Sequence, residues 1–171
     1  MQRRKEAQQE AKRQAEIAQE AAQREQRAKE AQIQQEQARQ KEAEREKHAA
    51  KYAAFLQQNS EKIMDIVKQS YHPSYPKNEK YPPIGKAFDK FFNKPTWEFS
   101  ISPYGWKITF KGIAHSGGQN ARLAFVFTGA SEITPEALDN KEVSFTLELA
   151  SVNGEEPNIT LAKALAAIFL N

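Results

Sequence analysis

The chain has 171 residues, 39% of them hydrophobic, and its 25 Lys and Arg against 22 Asp and Glu give a net charge of +3. Residues 61–171 hold 12 basic and 12 acidic residues, so this part lacks the positive charge typical of nucleic-acid binding. The absence of cysteine excludes disulfides, thiolate metal sites and cysteine nucleophiles.

Residues 1–58 predict a polar helical stalk. The first fifty residues contain no Gly, Pro or Asp and consist almost entirely of residues that favour helix. A coiled coil would need large apolar residues every 3.5 positions, but Ile17 and Ile33 are the only large aliphatic residues before Tyr52. Pairs of Glu with Lys or Arg three or four positions apart favour a single solvated helix. The sequence leaves open a weak Ala-rich coiled coil or a disordered segment.

Residues 59–171 predict a small folded head, joined to the stalk by a helix that continues to about Ser70. An apolar stripe at helical spacing leads into it, formed by Tyr52, Leu56, Ile63 and Val67. A proline-rich connection then precedes a short helix over 84–93, where Gly85 permits a close approach of the backbone and Phe88 packs in the core.

Alternating apolar and polar residues then predict strands near 97–102, 106–111, 121–128 and 143–152. A last helix is expected over 159–170 with Asn158 as its N-cap, and its apolar composition predicts that it packs across the sheet. The fold class is α+β: a long N-terminal helix, then a four-stranded antiparallel sheet packed by helices on one face.

Residue types that carry chemistry do not cluster in the sequence. His48, His72 and His115 lack the spacing of metal ligands, and the Gly117-Gly118 pair lacks the lysine and the helix of a phosphate-binding loop. Asp89 has no carboxylate neighbour in sequence, and we expect it to hydrogen-bond to backbone near the second strand. We therefore expect no catalytic residue, no metal and no cofactor, and we do not expect an enzyme.

Several short motifs resemble a known family. Residues 81–92 contain Ile-Gly-Lys-Ala-Phe-Asp, and Trp97-Glu98 and Asn153-Gly154-Glu155 follow. Together, over about residues 63–170, they resemble a small C-terminal domain of unknown function in bacterial membrane-anchored or lipoprotein-like proteins. The resemblance implies a place in the bacterial cell envelope. Since this sequence has no apolar run of the ~20 residues that span a membrane, we expect any membrane attachment through a segment that it does not contain.

The resulting hypothesis is a non-enzymatic interaction module displayed on a helical spacer, with a protein partner and without nucleic acid. The expected partner surface is the polar side of the sheet, which carries Lys107, Thr109, Lys111, Thr146 and Glu148. Two alternatives stay open: a small-ligand or lipid-binding domain, or a scaffold that forms weak homo-oligomers through bundled stalks. A cavity of roughly 300 Å³ or more lined by Trp97, Trp106 and Phe125, at the interface of sheet and helices, would favour the ligand-binding alternative.

Overall fold

A computed structural model describes residues 2–78, 80–102, 105–116 and 118–170. Its chain divides into two compact units, Met1–Lys51 and Tyr52–Asn171, and each is described by itself. The first unit is helical wherever it is described, as part of α1 (Gln2–Gln58). Those of its side chains that are described are all exposed, because polar residues with Ala dominate every face of this helix.

The second unit contains the last turns of α1 and the remaining elements. In chain order these are α2 (Ser60–Gln69), α3 (Ile84–Phe91), β1 (Asn93–Ser102), β2 (Gly105–Ser116), β3 (Gln119–Gly129), α4 (Pro135–Asp139), β4 (Phe145–Val152) and α5 (Leu161–Leu170). The four strands form one antiparallel sheet in the order β1-β2-β3-β4. The α+β fold is as the sequence predicts.

The expectation of one unbroken helix to about Ser70 is wrong at Asn59. This residue has φ −108° and ψ 13°, which lie outside helical values, and it separates α1 from α2. Its backbone N–H and its side-chain amide both donate to the carbonyl of Phe55, at 3.1 and 2.8 Å. The side-chain amide therefore shares the Phe55 carbonyl with the regular helical bond of the same residue, a local side-chain bond that is common where a helix is interrupted.

One face of the sheet packs against the helices and forms the core. Its fully buried side chains are Leu56, Ile63, Val67, Ile84, Phe88, Trp106, Ile108, Phe110, Phe125, Phe127, Leu138 and Leu165. Phe88 of α3 lies at the centre, with its ring centroid 4.9 Å from that of Phe110 and 5.0 Å from that of Phe125. The expected close approach at Gly85 is present, since a Cβ there would lie 2.7 Å from the Cβ of Lys68.

Asp89 and Asn158 do not play the roles expected from the sequence. The carboxylate of Asp89 accepts a hydrogen bond from the indole Nε1 of Trp97 at 2.9 Å, so its partner is a side chain of the first strand. At the start of α5, the hydroxyl of Thr160 accepts the N–H of Lys163 at 3.3 Å, so Thr160 rather than Asn158 caps the helix. In both cases the hydrogen-bond partner depends on the direction that the backbone takes, and the spacing of residues in the sequence does not determine that direction.

Helix α4 was not expected, although its start carries a recognisable signal. The hydroxyl of Thr134 accepts the N–H of Ala137 at 3.1 Å, and Pro135 occupies the first helical position.

Before α4, the N–H of Ile133 donates to the hydroxyl of Tyr52 at 2.8 Å. Burial raises the pKa of Tyr52, and the smaller lowering by this hydrogen bond does not cancel that effect.

Candidate functional site

The polar face of the sheet, on the side away from the core, is the candidate site and is called the outer face below. It is formed by side chains that alternate with core residues along each strand: Glu98, Ser100, Lys107, Thr109, Lys111, Val126, Thr128, Thr146 and Glu148. The charged members are exposed, while Thr109, Val126 and Thr128 on the two central strands are half-buried. The result is a centre of small β-branched side chains with charges around it.

The structure places all five sequence-predicted residues on this face, but it separates them in space. Lys107 and Thr146 are both paired with Thr128, one from each side, and Thr109 and Glu148 are both paired with Val126. Because neighbouring strands lie about 4.8 Å apart, each such pair is separated by about 10 Å across β3. The predicted residues are therefore not a contact cluster.

Charge on the outer face is only partly neutralised within the chain. The ammonium of Lys111 lies 3.2 Å from a carboxylate oxygen of Glu98, with more than half of each side chain exposed. Such an exposed pair contributes roughly 0.2–1 kcal/mol to stability. Among the described residues, Lys107 and Glu148 have no ion pair within 4 Å, so both charges are available to a partner.

Sequence reasoning missed four members of the outer face: Glu98, Ser100, Val126 and Thr128. The signal for all four is present, since they alternate with the core residues of β1 and β3. The sequence does not show which strands are neighbours in the sheet. Only the pairing of β3 between β2 and β4 puts Val126 and Thr128 at the centre of the surface.

The hairpin between β2 and β3 carries two polar side chains that lie close together. His115 and Asn120 pair across it, and the Nδ1 of His115 lies 2.8 Å from Oδ1 of Asn120. β2 continues to Ser116 and β3 begins at Gln119, and Gly117 between them lies outside the described residues. Across the described ranges, His, Asp and Glu form no group of three that could hold a metal ion.

The aromatic residues named for the ligand-binding alternative are part of the core. Trp106 and Phe125 are fully buried, and the ring of Trp97 packs 4.7 Å from that of Phe110. A cavity of about 380 Å³ exists elsewhere, between α3 and α5. Its walls include Phe91 and Phe169, with Lys80 and Lys90 also lining it.

Comparisons with known proteins identified no relative. No protein-family model, no curated protein and no solved structure matches this chain with significant similarity. Within the part of the chain that is described, none of the helices is both long and apolar enough to cross a bilayer. The outer face is therefore the feature from which we infer a function.

Proposed function

We propose that the protein is a non-enzymatic interaction module whose partner, another protein, binds the outer face of the sheet. The observation that carries this proposal is that Lys107 and Glu148 stand exposed and without an ion pair in the described structure, beside the half-buried Val126 and Thr128. Unpaired charges of both signs around a small, less polar centre suit recognition by a partner with the complementary arrangement.

The dimensions of the sheet support a modest contact. Four strands at about 4.8 Å spacing and about seven residues at 3.3 Å give a surface of roughly 20 by 23 Å. This area, on the order of 450 Å², is smaller than the ~800 Å² that each partner contributes to a stable interface. A contact of this area is appropriate for a partner that binds reversibly.

The helical residues before Tyr52 are proposed as the spacer. At about 1.5 Å per residue, a helix of fifty residues is roughly 75 Å long. Its described side chains are exposed, and most of them are polar or Ala, so it offers little apolar surface for a strong association of stalks. Association with the bacterial cell envelope is also a proposal, and it depends on the sequence resemblance described above.

A capture experiment from a bacterial lysate tests the outer face. The parent protein, the double variant Lys107→Glu/Lys111→Glu and the control Lys86→Glu would each be immobilised. Lys86 is exposed on α3, so its reversal changes charge outside the outer face. We expect a specific partner to bind the parent and the control but to be lost from the double variant. The free energy of unfolding of the double variant should fall by no more than about 1–2 kcal/mol, because the exposed Lys111–Glu98 pair is lost and a like charge is placed beside Glu98.

Equal capture by the double variant would show that the outer face is not the binding site. The hairpin with His115 and Asn120 would then be the next surface to test by substitution. A large loss of stability in the double variant would also contradict the structure, because both lysines are exposed.

A further inference from the structure

One end of the outer face contains a small basic cavity. It has a volume of about 220 Å³, and its lining includes Lys94, Lys111 and Arg122 around Ile113 and Ala124. The lining in the described part of the chain contains no acidic residue, and most of its exposed surface is apolar. Three cations thus surround an apolar floor in a unit that has equal numbers of acidic and basic residues.

Strand pairing brings the three cations together. Arg122 on β3 lies directly opposite Ile113 on β2, and Lys111 lies two residues before Ile113 on the same face. Lys111 and Arg122 are therefore diagonal neighbours, at a separation of about 7–8 Å between Cα atoms. Lys94 comes from the other side, from β1, which pairs with the same part of β2.

The backbone around the cavity is held in unusual conformations. In β1, the register shifts between Asn93 and Thr96, and Lys94 within this irregularity has φ 52°, in the left-handed region. Directly after β4, Asn153 also has a positive φ of 55°. Its side-chain oxygen accepts the N–H of Arg122 at 2.9 Å, and its own N–H donates to the carbonyl of Arg122 at 2.7 Å. These bonds fix the backbone that carries Arg122.

Most of the positive charge here is uncompensated. Lys111 is the one of the three cations with an ion pair in the described structure, to Glu98 at 3.2 Å. Lys94 and Arg122 have no carboxylate within 4 Å among the described residues. A ligand that entered the cavity could therefore be held by two free cations and could share the third with Glu98.

We infer that this cavity binds a carboxylate carried on an apolar body about as large as one amino-acid side chain. The planar guanidinium of Arg122 matches a carboxylate in bidentate geometry, and Lys94 adds a second cation. The apolar floor favours an aliphatic or aromatic group over a small hydrated ion. A free organic acid and the C-terminal residue of a peptide share this chemistry, and both fit the volume.

Titration of the ¹⁵N-labelled full chain, followed by NMR, tests the inference. The probes are phenylacetate, acetate, phenylacetamide, inorganic phosphate, and a short peptide ending in Phe with a free or an amidated C-terminus. We expect saturable shifts at the amides of Ile113 and Arg122 with phenylacetate or the free-acid peptide. The tighter of these two ligands identifies the source of the carboxylate. Acetate, the two amides and phosphate should bind at least tenfold more weakly.

Variants locate the site. Arg122→Gln and Lys94→Gln should each weaken binding by roughly tenfold or more, since hydrogen bonds to charged groups are the strong ones. The matched control is Lys107→Gln, which removes the same charge from the same face of β2, about 13 Å from Lys111. It should leave binding unchanged.

The inference is overturned if phenylacetamide or phosphate binds as tightly as phenylacetate, if none of the acids saturates, or if Lys107→Gln weakens binding as much as Arg122→Gln. Because Lys111 lies in both surfaces, Lys107→Gln is the variant that separates the inference from the proposed function. It should weaken capture of a protein partner if the proposed function is right, and it should leave binding of the carboxylate unchanged if the inference is right.

Discussion

Replacing Phe88 with Ala would remove the ring around which the core of the second unit is packed. The side chain is fully buried, and its ring centroid lies within 6.0 Å of those of five other aromatic residues: Phe92, Trp97, Phe110, Phe125 and Phe127. Phe92 directly follows the last residue of α3, and the other four belong to β1, β2 and β3. Because their positions are fixed by strand pairing, they cannot close fully over the space left by the ring.

The expected cost follows from burial and from the cavity. Phe→Ala changes in a packed core typically lower the free energy of unfolding by about 3–5 kcal/mol. A unit of 120 residues has a total stability of roughly 6–18 kcal/mol at ordinary values per residue. Phe88→Ala should therefore remove a large fraction of it and lower the melting temperature by roughly 10–25 °C.

Urea unfolding followed by circular dichroism measures this change. Phe91→Ala is the matched control on the same helix, since Phe91 is only partly buried and lines an open cavity. We expect it to cost less, about 1–2 kcal/mol. If Phe88→Ala unfolds at the same urea concentration as the parent, the ring is not in the core, and the packing of α3 on the sheet is wrong.

Two further predictions concern the first unit and His72. Deletion of residues 1–48 should leave the melting temperature of the second unit nearly unchanged, because the described side chains in this segment are exposed; a drop of many degrees would show that the helix supports the core. Burial lowers the pKa of His72, whose Nδ1 accepts the N–H of Ser74 at 3.1 Å, so the folded state favours the neutral ring. Its contribution to stability should be complete above pH ~6.5 and be lost as pH falls below that value, since the unfolded state then binds the proton more readily. Unfolding of the parent and of His72→Gln at pH 7.5 and 5.0 measures this, and an identical loss in both proteins would refute it.

The elements could be predicted where one pattern dominates the local sequence. Alternation along β1–β4 separates core from outer face because side chains of a strand point alternately to its two sides. The break at Asn59 and helix α4 were missed because each depends on a single polar side chain at a helix boundary. Asn59 bonds to the carbonyl of Phe55, and Thr134 bonds to the N–H of Ala137. The bond at Asn59 lies within a helical pattern that is continuous in the sequence, and the cap at Thr134 starts a helix of only five residues, which is too short to show a pattern.

The candidate sites likewise have some features that the sequence predicts and others that it does not. Thr109 and Glu148 can be assigned to one face from the sequence, but their separation across β3 depends on which strands are neighbours. The basic cavity could not be predicted at all. Lys94, Lys111 and Arg122 lie 11 to 28 positions apart and belong to three strands. No short-range pattern links residues at such distances.

The sequence by itself determined the long polar helix, the order of the main elements and the two faces of the sheet, since composition and short periodicities decide these. Tertiary structure alone decided the register of the strands, the irregularity at Lys94 and the clamp of Asn153 on Arg122. The physical reason is that these contacts join residues distant in the chain. Their positions depend on how the whole sheet pairs and packs, and not on the preferences of the residues beside them.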